Sequence, residues 1–104
     1  MIKVKILRQK GRTAGFSVSG HAGYEDSGKD IVCAAVTSAV QLTANGITEI
    51  LHFPADVAVL ENAVTLQTKD PSEEAEHFLQ AFQLQLEVLE EQYPSFIQIR
   101  YLEV

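Results

Sequence analysis

Residues 20–37 change from a polar, glycine-containing segment into an apolar, alanine-rich run, and this change constrains the fold more than any other feature. Glycines occupy positions 20, 23 and 28 of the first half, and the apolar run begins at Ile31. The pattern predicts a loop that leads into the N-terminus of a helix. Asp30 is the predicted N-cap, because its carboxylate can accept backbone N–H groups that lack a partner inside the helix.

The only cysteine of the chain, Cys33, falls in the first turn of this predicted helix. The thiolate is the nucleophilic form of cysteine, and the positive end of a helix favours it. His21 lies upstream, across a loop whose glycines allow it to fold back towards the sulfur. A cysteine with a histidine nearby in space is a candidate nucleophile and base. The alternative is that Cys33 is a small buried hydrophobe, as many cysteines are.

Two segments of this stretch form a pattern, namely Gly20-His21-Ala22 and Gly28-x-Asp30-Ile31-Val32-Cys33-Ala34-Ala35-Val36. The pattern resembles the ribosomal-processing cysteine protease family of bacteria. The resemblance implies a small α/β protein, typically a homodimer, that removes a short N-terminal extension from large ribosomal subunit protein twenty-seven. It also implies a cleavage motif that is a short, aromatic-containing peptide.

By this resemblance, Cys33 and His21 are the catalytic pair. The supporting or substrate-loop residues are Asp30, Thr37, Gly20, Gly23 and Gly28, with Thr37 standing where the family often has serine. Residues 23–29 are expected to be mobile until a peptide binds. Backbone N–H groups near the helix start, including that of Cys33, are expected to form an oxyanion hole.

The other two histidines, His52 and His77, are interpreted as bystanders. A metal site that includes His52 is disfavoured, because the chain has no ligand pair with the spacing Cys-x-x-Cys. We therefore expect no metal and no cofactor.

Hydrophobic periodicity outside this stretch predicts the order strand, strand, helix, strand, strand, helix, strand. The predicted strands cover residues 2–7, 15–19, 57–60, 63–68 and 96–104. The first predicted helix runs from residue 31 to about 51. The second begins at Asp70-Pro71-Ser72-Glu73, with Asp70 as N-cap, and ends at Tyr93. This order predicts an α/β (α+β) two-layer sandwich, with a largely antiparallel sheet and two helices on one face. We expect a single cysteine-protease domain over residues 1–104.

Charge and cysteine content restrict the partners. The formal net charge is −6, which argues against direct nucleic-acid binding and is compatible with a basic protein partner such as a ribosomal protein precursor. No uninterrupted apolar run is long enough to span a bilayer, so no membrane partner is expected. One cysteine cannot form an internal disulfide, and the reducing cytoplasm is the expected compartment.

Two other functions remain open from the sequence. One is a non-catalytic ribosome-associated module that binds a basic protein tail through the acidic surface. The other is a thiol redox sensor in which Cys33 is reactive but has no resolving cysteine in the same chain.

Overall fold

The computed structural model describes residues 1–20 and 27–104, with the backbone alone for residues 27–30. The elements are β1 (Ile2–Gln9), β2 (Arg12–Ser19), α1 (Ser27–Asn45), a π-helical turn (Gly46–Ile50), β3 (Ala55–Val59), β4 (Ala63–Thr68), α2 (Glu73–Gln92) and β5 (Ile97–Glu103). This order confirms the one predicted from hydrophobic periodicity. Strands β1, β2 and β3 extend two or three residues beyond a predicted end, and β3 and β5 stop one residue short of others, as expected where periodicity alone sets the boundaries.

The five strands form one sheet in the order β3-β4-β2-β1-β5. The pairs β1–β2, β2–β4 and β3–β4 are antiparallel, whereas β1 and β5 are parallel. The prediction of a largely antiparallel sheet is therefore confirmed. Because β1 lies between β2 and β5, the first strand of the chain is an interior strand, and β3 and β5 are at the edges.

The core lies between one face of the sheet and the two helices. Its strand residues share one face by alternation, and its helix residues lie on one stripe of each helix, as follows: Ile2, Val4, Ile6, Phe16, Leu66 and Ile97 from the sheet; Val32, Val36 and Val40 from α1; Ile47 from the π-helical turn; Ala75, Leu79, Phe82, Leu86 and Leu89 from α2. The rings of Phe16 and Phe82 stack with centroids 4.3 Å apart. Each large side chain buried in this way contributes about 1.5–3 kcal/mol to folding.

The segment Ile31–Ile50 is long and apolar enough, by length and composition, to cross a membrane. Its buried residues Val32, Val36, Val40 and Ile47 belong to the core between helices and sheet. The central helix of a compact protein passes the same test of length and composition. Packing in the core therefore explains these four residues, whereas Ile31, Leu42 and Ile50 of the same segment are exposed.

The starts of both helices differ from the prediction. Helix α1 begins at Ser27, so Asp30 lies within its first turn and is not the N-cap. Helix α2 begins at Glu73, and its N-cap is Ser72, not Asp70. The Ser72 hydroxyl accepts the N–H of Ala75 at 3.2 Å, which satisfies an amide that has no partner inside the helix.

Tyr101 on β5 connects the sheet to α2. Its hydroxyl donates a hydrogen bond to the carboxylate of Glu87. Burial, this hydrogen bond and the negative charges of Glu87 and Glu90 raise the pKa of Tyr101 from 10.0 to about 12. Each of these causes disfavours the phenolate in the folded state.

We expect this contact to lose its stabilising effect in strong alkali. A folded-state pKa above the unfolded value gives a stabilisation that is complete below pH 10 and falls as the pH rises towards 12. The effect is small, because Tyr101 is 54% exposed and solvent screens the charges. Urea unfolding of the wild type and Tyr101→Phe should give a difference in unfolding free energy that is constant below pH 10 and shrinks above it. Parallel titration of tyrosinate absorbance should show one fewer high-pKa tyrosine in the variant, and identical titrations would contradict the assignment.

Candidate active site

A cleft of about 240 Å³ lies between α1 and the sheet, where β2 ends and β4 begins. It is lined by Ile2, Val18, Gly20, Cys33, Val36, Thr37, Val40, Leu60, Glu61, Asn62, Ala63 and Val64. Three of the predicted site residues, Gly20, Cys33 and Thr37, therefore meet in one place. The cleft combines a mostly apolar lining with a thiol, which is typical of a site for a small segment of a ligand.

Helix α1 presents Cys33, Val36, Thr37 and Val40 to the cleft, at the three- and four-residue spacing of one helix face. Val36 and Val40 are buried in the core, Cys33 is half-buried, and Thr37 is exposed. Cys33 therefore lies at the boundary between the core and the cleft. A nucleophile on a packed helix is held more firmly than one on a loop.

The helix start at Ser27 changes the expected electrostatics of Cys33. Cys33 lies in the second turn of α1 and not in the first. The field of the helix dipole falls off within the first turn, and Cys33 lies farther from the positive end of the helix than the sequence predicted. The Cys33 amide also lies beyond the first four amides that lack a partner inside a helix, which argues against its use in an oxyanion hole.

Gly20 directly follows β2 at the edge of the cleft. Its φ is +87°, a conformation that favours glycine. Its N–H donates to the carbonyl oxygen of Asn62 at 3.1 Å, and a Cβ atom at this position would overlap the carbonyl oxygen of Met1. A side chain at position 20 would therefore push β2 away from the start of β1.

The turn between β3 and β4 forms the opposite side of the cleft. It contributes Leu60, Glu61, Asn62 and Ala63, none of which the sequence indicated as site residues. The Leu60 N–H donates to the Ala63 carbonyl oxygen at 2.7 Å and closes the turn. The sequence predicted this hairpin but did not indicate which other strand of the sheet it would pair with. It therefore did not place the turn beside Cys33.

The remaining predicted site residues are only partly covered by the structure. His21 and Gly23 lie outside the described residues. Gly28 and Asp30 belong to the first turn of α1, so the end of the predicted mobile segment is helical. His52 and His77 are exposed and do not line the cleft.

No three histidine, cysteine, aspartate or glutamate side chains come together as a metal site within residues 1–20 and 31–104, where the structure describes side chains. Among the described residues that line the cleft, Cys33 carries the only thiol and Glu61 the only carboxylate. Such a site suits attack by the sulfur on a bound carbonyl group, followed by acyl transfer.

Comparison with known proteins gives a consistent result. The sequence profile of the family described as "Cysteine protease Prp" matches residues 1–98. The ribosomal processing cysteine protease Prp of Staphylococcus aureus is 27% identical over 105 aligned positions, which cover 97% of this chain and 99% of that protein.

Two solved structures of the S. aureus protease superimpose closely. The complex with a substrate peptide has a TM-score of 0.90 at 25% identity and covers 98% of this chain and 100% of that chain. The complex with a covalently linked product peptide has a TM-score of 0.88 at 26% identity, with the same coverage. The fold around the cleft is therefore shared with proteins solved with peptides.

Proposed function

Since this chain belongs to the cysteine protease Prp family, we propose that it is the endopeptidase that removes the N-terminal extension of a large-subunit ribosomal protein. The chain is a cysteine protease by family membership, and the substrate is our proposal. The observation that carries the proposed peptidase activity is the position of Cys33, the only cysteine of the sequence, in the cleft beside Gly20 and Thr37.

The proposed reaction begins with the Cys33 thiol. His21 takes its proton, and Sγ forms a bond with the scissile carbonyl carbon. The carbon–nitrogen bond then breaks, and the amine leaves with the proton that His21 held. Water attacks the thioester, His21 takes a proton from that water and returns it to the sulfur, and the acid product leaves. The covalently linked product peptide of the S. aureus relative supports such an acyl-enzyme.

The role of His21 as general base rests on chemistry and on position in the chain. His21 directly follows Gly20, which lines the cleft that contains Cys33. Cysteine nucleophiles need an adjacent base, and an imidazole changes protonation near neutral pH. We assign Thr37, exposed in the same cleft, to contact with the substrate.

The proposed substrate is large ribosomal subunit protein twenty-seven, and the name of the S. aureus relative supports a role in ribosomal processing. The net charge of −6 suits a basic protein partner, because opposite charges increase the rate of encounter. We also propose that the enzyme acts in the cytoplasm, where ribosomal proteins are made, and as a homodimer.

The direct test uses a peptide that spans the extension and the mature start of protein twenty-seven from the same organism. We expect a single cut by the wild type, located by mass spectrometry. His21→Ala should lower kcat by about 10²-fold or more, because the thiol loses its base. His77→Ala, which changes an exposed histidine away from the cleft, should cleave like the wild type.

The wild type and His21→Ala test the proposed substrate and the proposed mechanism separately. If the wild type leaves this peptide intact, the proposed substrate is wrong. If the wild type cuts the peptide and His21→Ala retains full kcat, the substrate stands and the assignment of the base is wrong.

A further inference from the structure

Two rows of side chains cross the sheet on the face that carries the helices. By strand register, one row is Val4, Val18, Val64 and Val59, from β1 through β2 and β4 to β3. Val4 is 1% exposed, Val18 and Val64 are partly buried against the core, and Val59 is 76% exposed. The helices therefore cover this face of the sheet as far as β4 and leave β3 exposed.

Side-chain exposure increases in the same way along the second row. Ile6, Phe16 and Leu66 are fully buried, whereas Val57 on β3 is 43% exposed. Leu60, which follows β3, is 62% exposed. We call Val57, Val59 and Leu60 the β3 shelf.

The β3 shelf is continuous with the cleft that contains Cys33. Val18 and Val64 belong both to the first row and to the lining of the cleft, and Leu60 belongs both to the lining and to the shelf. Val59 is one strand beyond Val64, a spacing of about 4.8 Å. An extended peptide advances about 3.3 Å per residue, so a peptide in the cleft reaches the shelf within about three residues.

Two properties of the shelf indicate that it receives a peptide. Scattered exposed aliphatic residues are common, but a contiguous group beside a functional cleft is typical of a binding surface. The strand is also at the edge of the sheet, where backbone N–H and C=O groups can pair with an added extended strand.

We propose that the β3 shelf binds apolar side chains of the extended substrate within about three residues of the scissile bond. The substrate segment lies along the β3 edge and enters the cleft past Leu60. This inference rests on the proposed peptidase function and adds specificity residues to it. The shelf contributes to substrate binding and not to bond cleavage, so it affects the binding of the apolar side chains of the substrate.

The test compares Val59→Ser, Leu60→Ser and the double variant on two peptides. One peptide keeps the natural apolar residues near the scissile bond, and the other carries serine in their place. For the natural peptide we expect a fall in kcat/KM of roughly tenfold or more in the double variant, mainly through KM. For the serine peptide the double variant should lose much less of its kcat/KM than for the natural peptide, because the apolar contact is already absent.

Leu84→Ser is the matched control for Leu60→Ser. Leu84 is also 62% exposed but lies on α2, outside the cleft lining. This variant should leave both peptides unaffected. The rate of Cys33 alkylation by iodoacetamide should be the same in Val59→Ser and Leu84→Ser as in the wild type, because neither residue lines the cleft, and this shows that the active site is intact.

The possible failures are distinguishable. If the wild type does not cut the natural peptide, the proposed function fails before the shelf is tested. If the wild type cuts it and the double variant loses equal efficiency on both peptides, or none on either, the shelf does not select apolar side chains. Conversion of a dimer into monomers by Val59→Ser, seen by sedimentation, would instead identify the shelf as a subunit interface and overturn the proposal.

Discussion

Cys33→Ala should abolish peptide cleavage while the protein remains folded. The sulfur is the proposed nucleophile, and removal of a catalytic nucleophile lowers kcat by about 10³-fold or more. The thiol is half-buried at the boundary between the core and the cleft. Loss of one sulfur atom from a half-buried position should cost about 1 kcal/mol or less in unfolding free energy. The measurements are steady-state cleavage of the natural peptide and urea unfolding of the same preparation.

Thr37→Ala separates loss of the nucleophile from damage to the cleft. Thr37 is one helical turn from Cys33 and is also exposed in the cleft. Removal of its hydroxyl should affect substrate binding much less than Cys33→Ala affects kcat. Equal losses in both variants, or full activity in Cys33→Ala, would show that the thiol is not the nucleophile.

Gly20→Ala should destabilise the fold strongly and distort the cleft. The new methyl group would overlap the Met1 carbonyl oxygen, and the backbone φ of +87° disfavours any side chain. Neither strand can yield easily, because the Ile2 N–H is bonded to the Phe96 carbonyl oxygen at 2.9 Å and the Gly20 N–H to that of Asn62. The combined strain and overpacking should cost about 3 kcal/mol or more.

Gly11→Ala provides the matched control for the backbone strain. Gly11 has a similar φ of +79°, but a methyl group at this position would have no atom within 4 Å. The control should lose only about 1 kcal/mol, the usual cost of a side chain in the left-handed region. Urea unfolding of both variants measures the difference. Equal losses would mean that the start of β1 moves aside without cost, and cleavage by Gly20→Ala should then be close to that of the wild type.

Sequence periodicity predicted the element order because each element buries one regular stripe. Helix α2 illustrates this, since its buried residues Leu79, Phe82, Leu86 and Leu89 recur at the helical spacing. Helix starts were harder to predict, because Asp70 and Ser72 are both good capping residues and only the backbone conformation selects one of them. At α1 the helix continues back through Gly28, although glycine in a helix costs about 1 kcal/mol relative to alanine.

The candidate site was predictable only where its residues are close in the chain. Gly20, Cys33 and Thr37 belong to one continuous sequence pattern, and the structure places all three in the cleft. Leu60 and Asn62 come from a hairpin much later in the chain. They reach the cleft because β4 pairs with β2, and strand order cannot be read from local hydrophobic periodicity.

The interior position of β1 has a consequence for biosynthesis. Ile2 pairs with Ile97 and Arg8 with Glu103, so β1 obtains its second neighbour only when β5 has been made. Contacts between such distant residues slow folding. Ile2 also lines the cleft beside Cys33. A nascent chain that has emerged only as far as α2 thus already carries the thiol but still has an open edge at β1, and the enzyme should gain its activity only once β5 has joined the sheet.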